Sequence, residues 1–332
     1  MNKPQNIVDT FGRVHDYLRI SLTERCNLRC FYCMPEDGIQ LRDKAEFMST
    51  EELIFIAKKF VDLGVKKIRL TGGEPTIRKD FSSIVKQLGE LPVELGLTTN
   101  AVLIDKYIDD LMEAGVKSIN ISLDSLKEER FNAISRRGYY TKIKENIDLL
   151  IKNDFHIKIN IVLIKGTNDD EIIDFVKWTV NEKIQIRFIE FMPFDGNNWN
   201  FEKKISYKEI LTEVDSFFGK DQVEKLKDAP NDTTRNFKIK GGLGSFGIIS
   251  SVTNPFCDTC NRIRLTADGK IKNCLFSQSE MDLLGAVRNG EEIQDMILEN
   301  IKGKEKERGG NKSFETLDFS KMKNRTMVSI GG

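Results

Sequence analysis

The residues best placed to do chemistry are the cysteines. There are six, in two triplets, Cys26-x3-Cys30-x2-Cys33 and Cys257-x2-Cys260-x13-Cys274, with none between. An even count would suit disulfides, but those belong to secreted and usually small chains. Metal ligation is the better fit. Three thiolates on a short loop can hold three corners of a [4Fe–4S] cube and leave one iron open. A structural zinc wants a fourth ligand and closed coordination. Taken alone, the second triplet reads more readily as a zinc knuckle. With only His15 and His156 in the chain, sites built on several imidazoles are not expected. A second constellation is Thr71-Gly72-Gly73-Glu74-Pro75. Paired glycines let backbone approach a ligand closely, although an isolated Gly-Gly-Glu-Pro is usually just a turn.

These residues need a frame. Short β-rich runs at 18–23, 67–71, 94–98, 118–123, 158–164 and 186–192 alternate with helical patterns. Ser49 with Glu52, Ser125 with Glu128, and Asn168 with Glu171 read as capping boxes. Asp80 reads as a further cap, and Gly64 and Gly115 as helix stops. Such alternation implies right-handed βαβ units and a parallel sheet. Strands covered by helices on both sides should be apolar on both faces. Here Ile20, Ile68, Leu70, Ile119 and Ile121 alternate with Arg19, Lys67, Arg69, Asn120 and Ser122. One polar face per strand points to a polar-lined cavity inside a curved sheet. The expected fold is therefore α/β, a partial (β/α)6 TIM-like barrel with a C-terminal α+β domain closing its open side.

Arg19, Lys67, Arg69 and Lys158 lie on the polar faces, and Arg262 and Arg264 share a face of a later strand. Converging cations repel one another unless an anion fills the space between them. The expected boundary divides residues 1–200 from 201–332, and residues 302–312 read as a charged loop. Lys plus Arg equals Asp plus Glu at 51 each, so no bulk field draws the chain to nucleic acid or membrane. No stretch approaches the roughly 20 apolar residues of a membrane helix. A cytoplasmic address follows. A homodimer is one option that the sequence leaves open.

The CxxxCxxC spacing, with aromatic Tyr32 before the last cysteine, resembles the radical S-adenosylmethionine superfamily. The resemblance implies a [4Fe–4S] cluster on Cys26, Cys30 and Cys33, and S-adenosylmethionine contacted by Tyr32, Gly73, Ser122 and Met192. Residues 9–13, 18–33, 67–80, 97–100, 189–192, 254–265 and 330–332 are similar to one branch, the GTP cyclases of molybdenum cofactor biosynthesis. That likeness implies a second [4Fe–4S] cluster on Cys257, Cys260 and Cys274, next to guanine. It implies GTP contacts from Arg19, Arg69, Thr98, Lys158, Arg262 and Arg264, with Lys67 a weaker addition. It also implies an electron donor and a Gly331-Gly332 tail reaching the active site. The implied reaction starts with reductive cleavage of S-adenosylmethionine. The adenosyl radical then takes hydrogen from the ribose 3′ carbon, and the ribose radical attacks guanine carbon 8. Two other classes stay open: a peptide-modifying radical enzyme with an auxiliary cluster, and a two-zinc interaction module.

Overall fold

Each of the six runs forms a strand within two residues of its expected limits. They are β1 (Tyr17–Ser21), β2 (Lys67–Thr71), β3 (Glu94–Thr99), β4 (Ser118–Ser122), β5 (His156–Leu163) and β6 (Gln185–Glu190). All neighbours among them pair in parallel. The structure is a computed structural model that describes residues 6–35, 38–39, 42–197, 199–311, 314 and 324–331.

The crossovers are helical: α1 (Thr50–Asp62), α2 (Phe81–Gly89), α3 (Ile108–Glu113), α4 (Glu128–Ser135), α5 (Tyr140–Lys152) and α6 (Ile172–Asn181). Their apolar stripes cover one face of the sheet. Leu18, Ile20, Ile68, Ile119, Ile121, Ile159 and Ile161 share a single core with Phe60, Ile84, Leu111, Ile147 and Phe175. Full burial of such a side chain stabilises the fold by about 1.5–3 kcal/mol. The alternate residues on the same strands face a cavity instead.

Helix α1 starts on the expected Ser49–Glu52 capping box and stops at left-handed Gly64. Three other expected caps are spent elsewhere. Asp80 precedes α2 but makes no cap; its carboxylate holds Arg78 and Thr50. Ser125 donates to Glu171, leaving Lys127 as the uncapped start of α4. Asn168 bridges Asp124, Val162 and Ile164 rather than capping the turn after it. Each of the three has a partner distant in sequence, Thr50, Glu171 or Asp124, in place of the local cap.

The C-terminal part extends the same sheet at both ends. After α7 (Tyr207–Phe218), β7 (Val223–Lys225), β8 (Arg235–Ile239) and β9 (Ser245–Ile249) follow, and β9 pairs in parallel with β6. Then β10 (Arg262–Leu265) pairs in parallel with β1, and β11 (Lys270–Lys272) and β12 (Met281–Asp282) follow outward. The sheet order is β12-β11-β10-β1-β2-β3-β4-β5-β6-β9-β8-β7. Helices α8 (Leu283–Arg288), α9 (Gln294–Lys302) and α10 (Met327–Ile330) complete the fold. Residues 302–311 run mostly as exposed loop, as expected, but Lys304 is buried and Arg13 holds the carbonyls of Glu305 and Lys306. Among the described residues no helix is long and apolar enough to cross a membrane.

Candidate active site

The polar strand faces enclose one cavity of about 410 Å³, and both cysteine triplets line it. The first triplet occupies the loop after β1, where parallel α/β folds place their chemistry. Backbone ties fix that loop to the Gly-Gly turn after β2: Gly73 N–H donates to Thr23 O at 2.7 Å and Glu74 N–H to Arg25 O at 2.8 Å. A Cβ at Gly73 would stand 2.2 Å from Arg25 O, so only glycine permits this approach. Buried Glu74 accepts from Thr76, Thr99 and the Asn100 N–H, which sets Asn100 beside Cys26. Tyr32 donates its hydroxyl to buried Asp124 at 2.7 Å.

All six thiols are free. Burial, then the Glu74 carboxylate, pushes the Cys26 thiol up to about 11. Burial also raises Cys30 and Cys33, with Asp124 adding to it. Half-buried thiols on one loop, with Leu28 N–H and Asn100 Nδ2 reaching the Cys26 sulfur, suit an iron–sulfur cluster, whose iron would favour the ionisation that burial opposes.

In the second triplet burial again raises Cys257, but Cys260 sits in the opposite field. Cys257 and Cys260 flank a short turn before β10, and the β10–β11 hairpin returns Cys274 to their side. Burial opposes ionisation of Cys260, but Arg262 and Lys304 outweigh it and bring the thiol down to about 6. Lys304 Nζ lies 3.4 Å from Cys260 Sγ.

Between the triplets the parallel register builds rows of cations. Arg264, Arg19 and Arg69 stand side by side on β10, β1 and β2, with Arg262, Tyr17 and Lys67 one step along. Arg69 extends over Gly96, bonded to Tyr17 Oη at 2.8 Å and Leu97 O at 2.7 Å. Lys67 is partly spent on Glu94 at 2.6 Å. Burial and then Arg187 lower the Lys158 amine to about 8. Burial, then Arg19 and Arg262, lower Arg264 to about 9. Burial opposes the Tyr17 phenolate, yet Arg69 and Arg19 outweigh it and bring that phenol down to about 7. The Thr98 Oγ1, Asn120 Oδ1, Asn160 Oδ1 and Arg308 Nε atoms are buried without a partner among the described residues. A wall of crowded cations and orphaned polar atoms is built for a polar anion.

The structure brings Tyr32, Gly73, Ser122, Met192, Thr98 and all the named cations to this one cavity. Gly331 is not among the lining residues, but its carbonyl accepts from two that are, Arg19 at 3.3 Å and Arg264 at 3.4 Å. Gly332 lies outside the described residues. Sequence reasoning missed Arg187, Arg308, Tyr17 and Lys304. Arg187 had a signal, since it alternates with Ile186 and Phe188 as Arg19 does with its neighbours. Lys304 and Arg308 had none, lying in a stretch that reads as loop.

The sequence profile of the radical SAM superfamily matches residues 20–179, and that of the molybdenum cofactor synthesis C-terminal family matches 184–309. GTP 3′,8-cyclase from Peptoclostridium acidaminophilum is 43% identical over the full length of both chains. The mitochondrial GTP 3′,8-cyclase of Arabidopsis thaliana is 45% identical, over 98% of this chain and 83% of that one. This chain belongs to the GTP 3′,8-cyclase family. It spans about half of the human family relative, molybdenum cofactor biosynthesis protein 1, at 44% identity and 51% coverage of that protein. Family members are radical SAM proteins, so an iron–sulfur cluster and S-adenosylmethionine are its cofactors. Streptococcus suis SuiB bound to S-adenosylmethionine shares the fold, with a TM-score of 0.64 at 15% identity over 88% of this chain and 69% of that one.

Proposed function

We propose that this cyclase-family chain converts GTP to (8S)-3′,8-cyclo-7,8-dihydroguanosine 5′-triphosphate, an early step of molybdenum cofactor biosynthesis. The observation that carries the reading is a cation-lined cavity with a cysteine triplet at each side. Residues 1–200 would bind S-adenosylmethionine through Tyr32, Gly73, Ser122 and Met192, with Cys26, Cys30 and Cys33 on the first cluster. Residues 201–332 would carry a second [4Fe–4S] cluster on Cys257, Cys260 and Cys274. The first cluster with its S-adenosylmethionine, when bound, supplies the one-electron chemistry that produces an organic radical.

The chain's own residues do the rest by position. Arg19, Arg69, Lys158, Arg262 and Arg264 neutralise the triphosphate, with Arg187 added from the geometry. Guanidinium forks suit phosphate oxygens, and the match fixes the ribose relative to both triplets. Thr98 offers its unpartnered hydroxyl. Gly331 O accepts from the Arg19 and Arg264 guanidiniums, which keeps the tail beside the cation wall. A low-potential electron donor completes the stoichiometry, and a reducing compartment such as cytoplasm suits six free thiols.

The test is anaerobic reconstitution with iron and sulfide, followed by dithionite, S-adenosylmethionine and GTP. The cyclised triphosphate is the expected product by mass. Cleavage of S-adenosylmethionine that never yields this product from GTP would remove the proposal.

A further inference from the structure

Lys304 has no part in the chemistry described so far, yet it is placed with unusual care. Its side chain enters from the segment after α9 and is 4% exposed. A buried ammonium is costly unless something negative compensates it. Its hydrogen-bond partners are Cys260 Sγ at 3.4 Å and the Arg262 carbonyl at 3.2 Å; among the described residues it has no carboxylate partner.

The segment that carries Lys304 is fastened from a distance. Arg13 donates to the carbonyls of Cys257 at 2.8 Å, Lys306 at 2.7 Å and Glu305 at 2.9 Å. One guanidinium thus ties the backbone beside Lys304 to the backbone of the second triplet. Arg13 is itself aimed by buried Asp9, which also accepts from the Phe11 and Arg13 N–H groups and meets His15 at 3.0 Å. The 9–13 motif therefore acts as a clamp on this corner, which accounts for residues that touch neither cofactor nor substrate.

We infer that Lys304 is a positioning residue for the second cluster: held by the Arg13 clamp, its ammonium bonds the Cys260 thiolate and makes that cluster easier to reduce. The inference rests on the reading that Cys257, Cys260 and Cys274 hold iron and sulfide. A hydrogen bond and a positive charge at a ligand sulfur both favour the more negative, reduced form of a cluster. The first triplet has a mixed setting: the Glu74 and Asp124 carboxylates lie near it, and Arg29 bonds the Cys26 carbonyl.

The experiment uses the full chain reconstituted with both clusters. Iron and sulfide are counted, and both clusters are titrated potentiometrically with electron paramagnetic resonance detection. Added S-adenosylmethionine identifies the first cluster's signal, which serves as the internal control. Lys304→Met should lower the potential of the second cluster only, or lose its iron only. Lys304→Arg should restore most of either effect. Lys304→Gln, which keeps a donor without charge, covers the case in which the methionine variant does not fold. Arg13→Gln should shift the second cluster in the same direction by a smaller amount.

A second cluster with full iron and an unmoved potential in Lys304→Met or Lys304→Gln would overturn the inference. So would iron loss that Lys304→Arg fails to rescue. If the wild-type triplet holds zinc instead, the functional reading itself is at fault, and the iron count separates that case from the others.

Discussion

At the scale of residues, Arg187 shows how a site assembles from individually unremarkable side chains. Burial and then Arg69 bring its guanidinium down to about 10 despite the opposing pull of Asp232, which marks a cation held close to others. A charge-assisted phosphate contact is worth about 1.5–3 kcal/mol, so Arg187→Met should weaken GTP binding roughly ten- to a hundredfold by calorimetry. Guanosine affinity should move far less. The same wall predicts a pH dependence. The Tyr17 phenol is brought down to about 7 and the Lys158 amine to about 8. Each proton lost makes the wall less positive, and a polyanion binds the protonated form better. Affinity for GTP should therefore fall steadily from about pH 7 to about pH 9, while guanosine stays near flat. A GTP profile that rises over this window would disprove the electrostatic account. The triplets divide the work in a measurable way too. Cys30→Ala should abolish S-adenosylmethionine cleavage, whereas Cys260→Ala should keep some uncoupled cleavage and lose the product.

Elements explain why some of this was legible in the sequence and some was not. The alternation of Ile20 with Arg19 and of Ile68 with Arg69 follows the strand period of two, so the polar face was readable before any coordinates. Arg187 obeys the same period and was available to the same argument. The caps were not readable: Asp80, Ser125 and Asn168 carry local signals that distant partners override. Lys304 could not be found because its burial depends on Arg13, more than 290 positions away as counted by the Arg13–Glu305 contact. The loop after β2 gives the test at this scale. A Cβ at Gly73 meets backbone rather than a movable side chain, so Gly73→Ala must separate the turn from the cysteine loop. Overpacking of this kind costs about 1–3 kcal/mol. Thermal denaturation should show that loss, and iron bound by the first triplet should fall while the second keeps its own.

The whole molecule is closed by its C-terminal residues. Arg325 pairs with Asp268 at 2.8 Å and Glu280 at 2.6 Å, and Arg42 joins Asp268 to Glu24 just before the first triplet. This network seats α10 and brings Gly331 to Arg19 and Arg264. Deleting Gly331 and Gly332 should leave fold, iron content and GTP binding nearly intact while abolishing cyclisation, as read by product mass. Arg325→Ala should reproduce that defect and also lower stability, near or below the low end of the ~3–5 kcal/mol typical of a broken buried pair, because part of its side chain meets solvent. The sheet order has a different consequence, one that concerns synthesis. β9 docks on β6 and β10 on β1, at opposite ends of the six-stranded centre. Until residues 245–265 have left the ribosome, β1 and β6 both present unpaired backbone along apolar parallel strands. Bare edges of this sort recruit other chains. The last third of the polypeptide thus acts as the guard of the first two thirds. Copies stopped near residue 200 should self-associate during translation rather than persist as small, orderly barrels.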